Sequence, residues 1–227
     1  MLLHDLVAPR QPVPAGHQHW VVVLHGLGDS KEGWKDVAPM LGLDRVGWVF
    51  VQAPRDYFGG WSWFDIASDL GSIDFGHVRS SRAALEELLS HLEKTLGVPS
   101  SRLVLMGFSQ GCLMTLDVGL RSATPFAGLV AISGWLAFAD EYPAAFGPTA
   151  LTQKILQTHG RYDGVVPIER SRPQAERLKQ LGVPLTWVEY DKEHGLDPER
   201  EIADIRAFIT GVTSGVASGS TAKPARS

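Results

Sequence analysis

The chain reads as an α/β fold, a mostly parallel central sheet with helices on both faces. Three observations lead there. Six short apolar runs, β-rich and nearly continuous rather than alternating, suit strands buried on both sides. Helical patterns lie between them, and strands alternating with helices argue for parallel pairing. At 227 residues and 44% hydrophobic, the chain can bury one sizeable core and needs no second domain.

In chain order the runs are WVVVLHG (20–26), GWVFVQAP (47–54), RLVLMGFS (102–109), AGLVAISG (127–134), KILQTHG (154–160) and LTWVEYD (185–191). Ala53 to Ile73 is a long connection with five aromatics, and so much aromatic surface argues for a function. From His77 to Leu96 the residues Val78, Leu85, Leu88, Leu89, Leu92 and Leu96 recur at helical spacing until Gly97 and Pro99. A helix-like pattern also resumes after Ser109. Arg172 to Leu181 is helical and is stopped by Gly182 and Pro184. A last helix covers Pro198 to Thr210, with Asp197 as N-cap and Pro198 at the first position. Residues 1–210 thus read as one domain. From Gly211 onward the chain is poor in large apolar residues, so 211–227 reads as a disordered tail.

Charge narrows the partners. The formal net charge of -4 comes from 21 basic and 25 acidic residues without blocks, which leaves no footprint for nucleic acid and no polybasic membrane patch. No apolar run is long enough for a membrane span. The single cysteine, Cys112, excludes an intramolecular disulfide, and MLLHDLVAPRQPVP has neither a basic n-region nor a useful h-region. A soluble, cytoplasmic protein is expected. Cys112 itself reads as a small buried helix residue.

Gly107-Phe108-Ser109-Gln110-Gly111 stands where a strand meets a helix. Glycines on either side let backbones approach and let the serine hydroxyl stand clear of the sheet. A G-x-S-x-G string arises by chance in roughly one chain of this length in ten, so the motif needs partners. A serine nucleophile requires a base and a group to orient that base. In an open α/β sheet such groups gather at the carboxyl ends of strands. After the run ending at Gly160 comes Asp163, and after the run ending near Tyr190 comes His194. The order Ser109, Asp163, His194 is the one expected to follow a nucleophile elbow. His159 reads instead as a buried, backbone-bonded histidine, and Asp191 is too close in sequence to His194 to orient it well. The oxyanion is assigned to the Gln110 N–H and to that of Leu27 in His25-Gly26-Leu27-Gly28.

VVVLHGLGDS, QAPR, WSWFDI, GFSQG, THGRYDGVVP and the late HG together resemble the carboxylesterase, acyl-protein thioesterase and lysophospholipase group of α/β hydrolases, over about residues 20 to 210. The resemblance implies an α/β-hydrolase fold and a serine hydrolase using Ser109, Asp163 and His194 with the Leu27 and Gln110 amides, the residues reached above. It implies no cofactor and no metal. The chain departs from the family at Cys112, where a further glycine is common, and at Arg161-Tyr162 beside the aspartate. Only some twenty residues follow Gly134 before the next strand, too few for a large cap, so short to medium acyl chains are expected. Trp61, Trp63, Phe64, Val165 and Leu196 are the expected acyl wall. The substrate would be a small-molecule or lipid acyl ester, or an acylated protein, handled by a monomer or homodimer. Dienelactone-type hydrolases have cysteine where Ser109 stands. The alternative from another class is a catalytically silent α/β-hydrolase domain that binds a ligand or protein.

Overall fold

The computed structural model describes residues 1–66 and 72–214. In chain order these form β1 (His4–Val7), β2 (His19–Leu24), α1 (Val37–Leu41), β3 (Val46–Val51), β4 (Arg55–Tyr57), β5 (Gly60–Ser62), α2 (Phe75–Leu96), β6 (Leu103–Phe108), α3 (Gln110–Arg121), β7 (Gly128–Ile132), β8 (Ile155–Gly160), α4 (Ile168–Gln180), β9 (Leu185–Tyr190) and α5 (Arg200–Thr213). Seven strands make one sheet in the order β1-β3-β2-β6-β7-β8-β9. All neighbours are parallel except β1, which runs antiparallel to β3.

Alternation of side chains across the sheet builds two apolar layers from one set of strands. Trp20, Val22 and Leu24 of β2 and Leu103 and Leu105 of β6 face α2, α3 and α4, while Val21, Val23, Val104 and Met106 face α1 and α5. Because both faces are covered, the strands carry hydrophobic residues at consecutive positions, as the six runs do. Between β7 and β8 lie only two short 3₁₀ turns, Ala139–Glu141 and Ala150–Thr152, so no large cap is inserted there.

Several features differ from the sequence reading, among them α1, which it did not contain, and α4, which begins at Ile168 rather than Arg172. The edge strand β1 is four residues long, too short to register as a pattern, and pairs His4 with Val51 through Val7 with Trp48. The aromatic connection contains the hairpin β4–β5, whose turn residues Phe58 and Gly59 both have positive φ, 43° and 89°. That is the backbone a two-residue hairpin turn of matching twist requires. Helix α5 continues to Thr213, beyond the expected end at Thr210, and the rest of the expected tail, 215–227, lies outside the described residues. The start of α5 is also shifted: the helix begins at Arg200 rather than Pro198, with Glu199 in the N-cap position, while the Asp197 carboxylate accepts hydrogen bonds from the Glu199 and Arg200 N–H groups at 3.0 and 2.7 Å in the preceding turn. Among the described residues no helix is long and apolar enough to cross a membrane.

Candidate active site

The parallel register of β6 and its neighbours brings the carboxyl ends of four strands together. At the end of β6 the chain reverses into α3 through Ser109, at φ 54° and ψ -114°. This is a strained conformation for a residue with a side chain. Close packing enforces it: a Cβ on Gly107 would collide with the Gly111 carbonyl, and one on Gly111 would collide with the Leu24 carbonyl. The Ser109 N–H is fixed to the Ile132 carbonyl of β7 at 2.9 Å.

From the loops after β8 and β9 come the two other predicted residues. His194 Nε2 lies 3.0 Å from Ser109 Oγ, and His194 Nδ1 lies 2.7 Å from Asp163 Oδ2. The second oxygen of Asp163 accepts the Val165 and Val166 N–H groups at 3.0 and 2.8 Å. Burial opposes ionisation of Asp163, but the His194 bond and these two amides outweigh it, so its carboxyl sits below the ordinary range. A carboxylate so held accepts from Nδ1–H and leaves Nε2 to receive the serine proton. Phe108 packs against the His194 ring with centroids 4.8 Å apart.

The discarded candidates make contacts of their own, although His159 Nε2 also lies 3.6 Å from Asp163 Oδ2. Asp191 pairs with Arg161 at 2.7 Å. Fully buried His159 donates from Nε2 to the Val166 carbonyl at 2.9 Å, and burial lowers its pKa. Cys112 is buried in α3, where burial pushes its thiol pKa up and keeps it inert.

Gln110 opens α3, where the first N–H groups have no acceptor within the helix. Among the described residues neither its N–H nor that of Leu27 donates to an acceptor. Both residues line a cavity of about 200 Å³ together with Ser109 and His194. Buried His25 steadies the Leu27 loop. Its Nε2 accepts the Ala53 N–H at 3.1 Å, so Nδ1 carries the proton and donates to the Gly26 carbonyl at 2.7 Å.

Of the residues assigned to the acyl wall, Val165 lines this cavity, whereas Trp61, Trp63, Phe64 and Leu196 do not. Trp63 and Phe64 are 0% exposed. Their surroundings explain why: the Trp63 indole donates to the His25 carbonyl at 2.9 Å, and the Gln110 amide bridges the Trp63 N–H and the Phe64 carbonyl at 2.9 and 2.8 Å. Trp61 clamps the same loop through its backbone, exchanging hydrogen bonds with Gly28 and Asp29 at 2.9 and 3.0 Å. Leu196 packs against the α1/α5 layer. The aromatic connection therefore braces the Leu27 loop from behind. The cavity is lined instead by Ile66, Phe108, Trp135, Val166 and Arg170 beside Val165. Trp135 follows the end of β7 and was within reach of the strand-end rule that picks out Asp163 and His194.

A model of a phospholipase/carboxylesterase family matches residues 7–213. Acyl-protein thioesterase 1 of Mycosarcoma maydis is 36% identical over 214 residues, which cover 83% of this chain and 89% of that protein. Acyl-protein thioesterase 1 of Schizosaccharomyces pombe is 34% identical over 171 residues, 71% of this chain and 76% of the relative. Among solved structures, the esterase PE8 superposes with a TM-score of 0.83 at 22% identity, over 93% of this chain and 99% of that one, a likeness of fold.

Proposed function

Because this chain belongs to the phospholipase/carboxylesterase family of α/β hydrolases, we propose that it hydrolyses carboxylic esters and acyl thioesters through an acyl-enzyme on Ser109. The observation that carries this reading is the chain of hydrogen bonds from Asp163 through His194 to Ser109 at the wall of a cavity. His194 Nε2 takes the serine proton as Oγ attacks the acyl carbonyl, and Asp163 holds the imidazole tautomer. Negative charge developing on the carbonyl oxygen falls to the Leu27 and Gln110 amides, which are fixed before reaction. His194 then returns the proton to the leaving alcohol or thiol. Water, activated by the same histidine, releases the acid.

A cavity of about 200 Å³ is smaller than the ~300–1,000 Å³ usual for small-molecule sites, which supports short to medium acyl groups. Apolar side chains around Trp135 and Val165 favour an alkyl chain by about 0.8 kcal/mol per methylene until the slot is full. The relatives named acyl-protein thioesterase support including thioesters, and acylated protein, among the substrates.

The test is kcat/KM over p-nitrophenyl esters from acetyl to palmitoyl and over the matching thioesters, with Ser109→Ala alongside. A peak at short to medium chains that vanishes in the variant is expected. Turnover by Ser109→Ala near the native rate overturns the nucleophile, and a peak at palmitoyl overturns the chain-length reading.

A further inference from the structure

We propose that the buried Lys192–Glu201 ion pair is the positioning device that holds the His194 loop within reach of Ser109. The proposal rests on the reading of Ser109, His194 and Asp163 as the catalytic groups. Lys192 stands two residues before His194, and its side chain is only 8% exposed, against 0% for Glu201 on the first turn of α5. Its Nζ is 2.7 and 2.6 Å from the two Glu201 oxygens, donates to the Gly195 carbonyl at 2.6 Å, and reaches Ser133 Oγ at 3.2 Å. An ammonium has three N–H bonds to give, and three residues receive them.

The pair grips the loop at both ends. Glu201 Oε2 accepts the Asp197 N–H at 2.8 Å, while the Lys192 carbonyl accepts the Tyr162 N–H of the Asp163 loop at 3.1 Å. Residues 192–197, with His194 inside them, therefore wrap around one charged peg. Ser133, at the end of β7, ties that peg to the sheet beside β6. Other titratable groups facing Lys192 are Asp163, Asp197, His159 and Tyr190, whose ring lies 5.9 Å from Nζ.

Stability alone does not call for such a pair. Removing one buried partner is strongly destabilising, but replacing both by apolar residues of similar volume is often neutral or better. An apolar pair, however, could not hold the Gly195 carbonyl or the Asp197 N–H. Misplacing a catalytic group by about 1 Å costs on the order of 100-fold in rate. Lys192 does not line the cavity beside Ser109, so substrate binding should be untouched.

The experiment compares Lys192→Met and Lys192→Met/Glu201→Met with the native protein. It reads the thermal midpoint, kcat and KM on a butyryl ester, and active-site concentration from phosphonate labelling of Ser109. The double variant is expected to melt near the native temperature, yet to lose roughly ten- to hundredfold in kcat at unchanged KM. If the single variant fails to fold, the double variant decides. A kcat within twofold of native in the folded double variant overturns the proposal, as does a loss carried by KM. Ser109→Ala separates the two readings: if it stays active the nucleophile is wrong, and if it is dead while the double variant is fully active only the positioning role fails.

Discussion

Ser109 and Trp63 serve one cavity from opposite sides of its wall. The serine stands on a turn so tight that glycines must flank it and, although only 7% exposed, it lines the cavity. The tryptophan, in the stretch with the most aromatic surface, turns its indole inward to the His25 carbonyl and shows solvent nothing. One region presents a hydroxyl to a cavity at the cost of backbone strain. The other uses apolar area and hydrogen bonds to fix the loop that carries the Leu27 amide. Candidate catalytic groups can thus be read from their position along a strand, whereas conspicuous aromatic side chains report on support as readily as on binding.

Substitutions in the two regions should separate activity from stability. Ser109→Ala should lower kcat by roughly 10⁴ to 10⁶-fold with no loss of melting temperature, checked by ester turnover and thermal denaturation. Trp63→Ala should destabilise the fold by about 3–5 kcal/mol, since a fully buried ring and its hydrogen bond are lost together. At about 2–4 °C per kcal/mol for a chain of this size, calorimetry should find the midpoint lower by roughly 6–20 °C. A native-like midpoint would make the aromatic stretch a removable wall, and the contrast would collapse. Val165→Phe, at the cavity mouth, should displace about two methylenes of acyl chain. At about 0.8 kcal/mol each, kcat/KM on the longest accepted ester should fall roughly tenfold while acetyl turnover holds. Smallest of all, Phe58→Asn at the 99% exposed hairpin tip should leave activity unchanged and stability within about 0.5 kcal/mol of native or slightly better. Asn-Gly is the preferred pair for its turn.

Much of the fold was legible because burial on both faces leaves a continuous apolar signal in each central strand. Edges and hairpins leave a weaker one. The four residues of β1 are identified only by their partner β3, and β4–β5 hides among aromatics that resemble any long loop. Ser109, Asp163 and His194 could be picked out because Ser109 follows β6 directly and the other two lie in the short loops just past the ends of β8 and β9, and the structure brings them within hydrogen-bonding distance. The lining of the cavity was only partly legible in this way. Trp135 follows the end of β7, but Ile66 and Arg170 come from separate segments that meet it only through the packing of α4 and the strand ends. Lys192 and Glu201 escaped for a related reason: on a loop and on an otherwise amphipathic helix, charged residues look solvated until the tertiary structure closes over them.

The dihedral angles of Ser109 carry one more consequence. A residue with a side chain held at φ 54° and ψ -114° stores on the order of 1–3 kcal/mol of backbone strain, which glycine at the same place would largely release. The most heat-resistant sequence for this turn is therefore not the one that bears a hydroxyl. Screening variants for melting temperature alone would favour loss of the Ser109 hydroxyl, so any campaign to harden this protein has to select on turnover at the same time.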